Sequence, residues 1–562
     1  MLTRKGSPYK FCPLLVLVLI SAAIALDDWA DGGTILIKGG TVVNHDQQFE
    51  ADVLIRDGII VDVAPDIEAP PGCLVLPAAG LFVMPGGIDP HTHLDMPFMG
   101  TVTADDFFTG QAAALAGGTT FHIDFALPIN HDIRAGFREW QSKASSGCMD
   151  YSLHMAVTQW GPRVAADMGQ LVAEGVSSFK FFMAYKGVLQ VSDGELLAGL
   201  SRCRQLGALP LVHAENGDAV AWMQERLISS GIRGPEGHPL SRPPALEAEA
   251  TGRAIRLAGV VGAPLYVVHV MSGEAVEEIS RARLSGSRVV GEAVVSGLAL
   301  REAGCWDTNF TSAAALVMSP PIRGPGHAER IKAALAAGVL QLVATDHAVF
   351  NSSQKAAGRH DFRRIPNGVN GIEERMHVTW QEMVVAGLAT PSDFVRLTST
   401  AAAQLFNVYP RKGRLAAGSD ADVILLDPRV THTLGVGAAH SPRMDTNVYE
   451  GKVVQGKVVT TLSRGRLVWH EGRLRVRRGS GRFVRRPPFG PLFQGLDEQE
   501  RRALTLPYGP TPVPREGDQE AQLPEQQQQE EGVCGGGREE VAAAAAGGGF
   551  CSASGSQQGA TY

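Results

Sequence analysis

From about residue 85 to residue 411 the chain alternates short apolar runs with alanine- and glutamate-rich stretches, and this alternation restricts the possible fold more than any other feature. The runs include Thr119-Thr-Phe-His-Ile-Asp-Phe, Ser178-Phe-Lys-Phe-Phe-Met, Leu209-Pro-Leu-Val-His-Ala, Leu265-Tyr-Val-Val-His-Val and Leu340-Gln-Leu-Val-Ala-Thr-Asp. Each has the length of a buried strand, whereas Ala245 to Ala258 and Ala328 to Ala337 have the length and composition of helices. Repeated βα units of this count and size predict an α/β fold, a TIM-like (β/α)8 barrel over 85–411. In such a barrel the chemistry sits at the C-terminal ends of the strands.

The flanks follow a different grammar. Residues 34–84 alternate apolar and polar positions, with Asp57-Gly58 between two such runs as a hairpin signal. The same pattern returns in Ala421 to Asp427, Val453 to Leu462 and Arg466 to Gly472. The two ends, 34–84 and 412–478, are expected to form one small β-sandwich.

A net charge of −7 and the lack of a basic stripe before residue 473 argue against a nucleic-acid partner. Arg4, Lys5 and Lys10 precede an apolar stretch from Pro13 to Leu26 that ends in Ala23-Ile24-Ala25. That order reads as a secretory signal over 1–25, too short for a stable membrane span. It implies an endomembrane lumen or the exterior where the signal is used, and the cytoplasm otherwise. Cys73, Cys148, Cys203 and Cys305 are scattered and read as isolated thiols. Asn309 and Asn351 begin glycosylation sequons. Residues 509–562, rich in Gln, Glu, Gly and Ala, cannot bury enough apolar area to offset their ordering entropy and are expected to be disordered.

Six polar side chains stand at or near the ends of the apolar runs: His91, His93, Lys180, His213, His269 and Asp346. His91 and His93 leave the same face of an extended strand, so both imidazoles can reach one metal ion. Taken singly, a histidine on an apolar strand is more often a core residue; recurrence in one strand-end context favours ligands. Imidazoles and a carboxylate without thiolates suit Zn2+, Mn2+ or Fe2+ in a hydrolytic site. Lys180 stands among large apolar neighbours, where a bare ammonium is costly and the neutral amine is favoured. A neutral amine can take up CO2 as a carbamate, an anionic ligand able to bridge two cations. Asp346 would bind one metal, take the proton of the attacking water and return it to the leaving nitrogen. His347 reads as supporting the site or as structural.

Met84-Pro-Gly-Gly-Ile-Asp-Pro-His-Thr-His-Leu, Phe179-Lys-Phe-Phe-Met-Ala-Tyr-Lys, Val212-His-Ala-Glu-Asn and Ile365-Pro-Asn-Gly-Val-Asn-Gly-Ile-Glu-Glu-Arg resemble the hydantoinase/dihydropyrimidinase family of the cyclic amidohydrolase superfamily. The resemblance covers roughly 34–495. It implies two zinc ions per subunit, held by His91, His93, His213, His269, Asp346 and an N6-carboxylated Lys180. It further implies that the Tyr185 phenol stabilises the developing oxyanion and that backbone groups of Ser319 and Asn367 hold the amide edge of the substrate. The implied reaction is hydrolytic opening of 5,6-dihydrouracil or dihydrothymine to an N-carbamoyl-β-amino acid in reductive pyrimidine catabolism. Hydantoin or allantoin opening on the same metals is the neighbouring alternative.

The collapsin response mediator proteins share this fold as non-catalytic scaffolds that have lost metal ligands, whereas every ligand is present here. Relatives are typically homotetramers in which a C-terminal arm reaches a neighbour, and Arg482 to Gln494, within 479–508, resembles that arm.

Overall fold

A computed structural model of the chain describes residues 33–502 except 442, 497, 499 and 500. The expected signal (1–25) and tail (509–562) lie outside the described residues. The chain divides into two compact units, Met1–Gln494 and Gly495–Tyr562. In the second, Glu498 pairs with Arg501 and Arg502 at 3.0 and 3.1 Å.

The first unit contains the barrel. Its eight parallel strands follow one another in sequence: Gly87–Thr92, Thr119–Ala126, Asp150–Ala156, Ser178–Phe182, Leu209–His213, Leu265–Val270, Val289–Val294 and Leu342–Ala344. All are buried along their length, as strands covered on both faces must be. The last strand is short, and closure falls to the segment that follows it. The His93 N–H donates to the His347 carbonyl at 2.9 Å, and Thr345 Oγ1 donates to Asp89 Oδ2 at 2.6 Å. The covering helices are amphipathic: Ile133–Ala144 buries Ile133, Phe137, Trp140 and Ala144 at helical spacing, and Asp132 caps it by accepting from the Ala135 N–H. Helices Pro244–Val260 and His327–Ala336 fall on the two stretches read as helical.

Strands from both β-rich ends join in one mostly antiparallel nine-stranded sheet. Strands such as Thr34–Val43, Gln48–Arg56 and Phe82–Pro85 come from the N-terminal side, and Val423–Thr433, Val453–Ser463 and Arg466–His470 from the C-terminal side. The join is the antiparallel pairing of Phe82–Pro85 with Val423–Leu426. The Asp57-Gly58 turn has both residues at positive φ, 52° and 81°, as a two-residue hairpin requires. The sheet curls until this turn meets the next hairpin: the Ala421 N–H donates to the Gly58 carbonyl, and the Gly465 N–H to the Ala421 carbonyl, each at 2.8 Å. Its concave face encloses Ile35, Val53, Ile60, Val423, Leu425 and Leu462. The alternate positions Ile424, Leu426 and Val458 pack on Met376 and Trp380 beside the barrel.

The segment resembling an arm crosses the N-terminal ends of its own barrel strands. The N–H groups of Val484, Arg486 and Phe489 donate to the carbonyls of Tyr151, Gly175 and Gly207 at 2.7, 2.9 and 2.8 Å. The Arg486 guanidinium is buried beneath the barrel, donating to Ser152 Oγ at 2.8 Å and to the Leu153 carbonyl. Among the described residues no helix is long and apolar enough to cross a membrane. The four cysteines of the folded region are free.

Candidate metal centre

The parallel order of the strands brings their C-terminal ends to one mouth, and the polar side chains expected there meet. His91, His93, Lys180, Tyr185, His213, His269, Ser319, Asp346 and Asn367 all line one cleft, walled by Met96, Phe98, Leu127, Phe182 and Leu189. Ligand atoms of His91, His93 and Asp346 lie within 4.8 Å of one another. The rings of His91 and His269 are 5.4 Å apart, and those of His213 and His269 are 4.5 Å apart. Tyr185, His269 and Asp346 take positive φ of 64°, 38° and 53°, a left-handed backbone rare for such residues and concentrated where function demands a fixed orientation.

The hydrogen bonds show which nitrogens remain for a cation. His91 Nδ1 donates to Glu292 Oε1 at 2.6 Å, so Nε2 is the nitrogen left to face a cation. That Nε2 faces Asp346 Oδ1 at 3.1 Å yet makes no hydrogen bond, and His93 Nε2 lies 3.1 Å from the same oxygen. Two imidazole nitrogens converging on one carboxylate oxygen form a donor set for a metal ion. His213 Nε2 donates to Glu215 Oε2 at 2.9 Å, which leaves its Nδ1. His269 Nδ1 is buried without a partner. The site is thus a cluster of imidazoles and carboxylate with unpaired nitrogens, and it fits divalent cations.

The electrostatics agree. Burial depresses His91, but the charges of Glu292 and Asp346 outweigh it and lift the pKa to about 9, showing a field that attracts a positive charge. Burial holds His93 near 4 and His269 well below its usual value, so both rings are neutral at pH 7. For Asp346, burial is outweighed by His91 and His93, which keep the carboxyl well below the ordinary range. Lys180 is 1 % exposed, with Nζ 4.5 Å from the Phe125 ring centre. Burial brings its pKa down to about 8 against the opposing charges of Asp346 and Glu292. Burial pushes the Tyr185 hydroxyl up, which keeps it protonated as a donor. Asn367 Nδ2 donates to Ser319 Oγ at 3.0 Å, and both side chains lie against that hydroxyl.

Glu292 and Glu215 were not singled out from sequence. Glu292 Oε1 also accepts the His269 N–H at 2.9 Å, and its Oε2 accepts the Tyr266 hydroxyl at 2.7 Å, so one carboxylate orients two of the candidate histidines. Glu215 is held by Arg242 at 2.6 Å, and the same guanidinium lies 5.7 Å from the Tyr185 ring centre. The available signal was a carboxylate inside the otherwise apolar run Val289–Val294. His347 supports the site: Nε2 contacts Asp105 Oδ2 at 3.1 Å, and Nδ1 accepts from the Gly371 and Ile372 N–H groups. A second acidic cluster, Asp150, Asp420 and Asp422, already holds a cation of the protein's own. The Lys412 ammonium lies 3.0, 3.0 and 2.6 Å from the three carboxylates.

Residues 82–468 match the Amidohydrolase family. Dihydropyrimidinase of Arabidopsis thaliana is 57% identical over 472 residues, covering 84% of this chain and 89% of that protein. The crystal structure of dihydropyrimidinase from Brevibacillus agri NCHU1002 aligns with a TM-score of 0.80 at 42% identity, over 81% of this chain and 99% of that one. D-hydantoinase from a Bacillus sp. AR9 aligns with a TM-score of 0.79 at 42% identity, over the same shares.

Proposed function

The chain belongs to the amidohydrolase family, and from that premise we propose that it is a dihydropyrimidinase, a zinc-dependent hydrolase of the cyclic amide bond in 5,6-dihydrouracil and dihydrothymine. One observation carries the reading: nine residues from separate strands and loops line a single cleft in which imidazole nitrogens lack protein partners. The 57% identity to a dihydropyrimidinase supports the substrate.

His91, His93 and Asp346 would hold one zinc ion, His213 and His269 a second, with carboxylated Lys180 shared between them. Bound there, the two ions would lower the pKa of the attacking water and polarise the ring carbonyl. Lys180 would serve as a ligand once its neutral Nζ has added to CO2: an N–C bond forms as one C–O π bond opens, one N–H proton passes to water, and a carbamate anion remains. Its burial over Phe125 favours the amine that this step needs. Asp346 accepts the proton of the water that attacks C4. As the C4–N3 bond breaks, it returns that proton to N3, giving N-carbamoyl-β-alanine or N-carbamoyl-β-aminoisobutyrate. The Tyr185 hydroxyl, kept protonated by burial, donates to the oxygen on which charge develops. Ser319 and Asn367, on the same wall, hold the amide edge of the ring.

The structural likeness to a D-hydantoinase, at 42% identity and a TM-score of 0.79, favours a second reading, opening of five-membered ureides such as hydantoin or allantoin. A panel of dihydrouracil, dihydrothymine, hydantoin and allantoin, run with zinc-loaded protein and with Lys180→Ala, tests both. Turnover of the dihydropyrimidines that is lost in Lys180→Ala is expected. Turnover of hydantoin or allantoin alone would overturn the substrate, and an active Lys180→Ala protein would overturn the carbamate.

A further inference from the structure

We propose that Lys355 is a positioning residue, whose buried ammonium locks together the two main-chain segments that form the substrate-edge wall of the cleft. It rests on the reading that Ser319 and Asn367 face the substrate. Lys355 ends the one-turn helix Ser352–Lys355 and is 3 % exposed. Its three N–H protons serve four carbonyls, one of them shared between two acceptors: Ala314 at 2.9 Å, Ala315 at 3.3 Å, Val317 at 3.0 Å and Gly368 at 2.8 Å. The first three lie on the segment that runs into Ser319, and the fourth belongs to the residue after Asn367.

Carbonyl oxygens aimed at one buried point repel one another unless a positive charge sits there. The segments meet directly where the Gly368 N–H donates to the Val317 carbonyl at 2.9 Å and where Asn367 Nδ2 donates to Ser319 Oγ at 3.0 Å. The Lys355 ammonium adds bonds to carbonyls of both segments. The wall has no slack, since a Cβ at Gly368 would lie 2.1 Å from the Ala348 carbonyl oxygen. Lys355 is not among the cleft-lining residues, so it acts through its neighbours rather than on substrate. Burial draws its pKa down to about 7, and the opposing influence is the Cys305 thiol rather than a carboxylate. What calls for the charged form at Nζ is the geometry, four carbonyl oxygens converging on it. No zinc-ligand residue is among the groups it bonds, which separates this role from the metal centre.

The test compares Lys355→Met, which keeps the stem, and Lys355→Gln, which keeps a polar donor, with the parent and with Asn367→Ala. Measurements are KM and kcat for dihydrouracil on folded, zinc-replete protein, plus the inhibition constant of acetohydroxamate, a fragment that engages only the metals. The expected result is a KM raised about tenfold or more in Lys355→Met, partly restored in Lys355→Gln, with zinc content and acetohydroxamate inhibition unchanged. Should Lys355→Met not yield folded protein, Lys355→Gln alone must show the raised KM. A parental KM in the Lys355 variants beside a raised KM in Asn367→Ala overturns this inference and leaves the edge reading standing. A parental KM in Asn367→Ala as well overturns this inference and confines the substrate-edge contact to backbone groups.

Discussion

Replacing Glu292 by glutamine separates the charge of this carboxylate from its shape. An amide oxygen at the Oε1 position can still accept from His91 Nδ1 and from the His269 N–H, while the amide nitrogen faces the Tyr266 hydroxyl, which can turn to accept. What is lost is the charge behind the 2.6 Å bond to His91. A hydrogen bond to a charged group contributes about 1.5–3 kcal/mol, and about 1.4 kcal/mol corresponds to a factor of ten. Zinc affinity is therefore expected to fall about 10- to 100-fold, the range for residues that orient metal ligands. Titrating metal-free protein with chelator-buffered zinc, and counting bound metal by mass spectrometry, measures the shift. At saturating zinc kcat should return to within about threefold of the parent, since Asp346 and Tyr185 are untouched. Parental zinc affinity in Glu292→Gln would refute the reasoning, because His91 would then need no anionic partner to present Nε2.

Two further predictions concern stability and assembly. Glu374 is buried, and burial followed by the charge of Glu373 lifts its pKa to about 7 from the ordinary 4.5. The folded chain then holds that proton more tightly than the unfolded one, so the stabilisation is complete below about pH 4.5 and is lost as pH rises to about 7. The loss is at most about 3 kcal/mol. Glu374→Gln, which can still accept from Asn370 and Asn447, should show a Tm advantage over the parent that widens from pH 5 to pH 8; parallel Tm curves would contradict it. We also propose a homotetramer with 479–508 as its arm. Light scattering should show that deleting 479–562 disrupts assembly while deleting 509–562 does not. Because 484–489 caps its own barrel floor, the longer deletion should also lower the Tm; an unchanged Tm would contradict this.

The six ligand candidates were legible in sequence because His91, Lys180, His213 and His269 interrupt apolar strands and His93 and Asp346 stand just beyond strand ends, and a parallel barrel carries the C-terminal ends of all of these strands to one mouth. Periodicity likewise exposed the flanking strands and the Asp57-Gly58 turn, whose geometry needs only neighbouring residues. Glu292 left a fainter mark, a carboxylate in a wholly buried strand that must be paired somewhere. Nothing in Val289–Val294 says that the partners are His91, His269 and Tyr266 on other strands. Lys355 and Arg242 left none, since a lone cation in a polar loop reads as solvated until the fold surrounds it with carbonyls or a glutamate.

Arg482 to Gln494 shows the converse limit. Its basic composition resembles an arm made for a neighbour, yet its backbone donors are satisfied on Tyr151, Gly175 and Gly207 of the same chain. A segment can serve both purposes, because the ladder bonds use one edge of the chain and leave the other outward. Arg485 and Phe489 are exposed there, and Phe489 holds a positive φ of 60° while its N–H is bonded to Gly207. The Phe489 ring rests one face over Gly207 and stays 61% exposed, an apolar surface on a fixed backbone that a neighbour could cover. The segment is thus first the floor of its own barrel, and in the tetramer proposed above whatever it offers a neighbour would be presented from that floor.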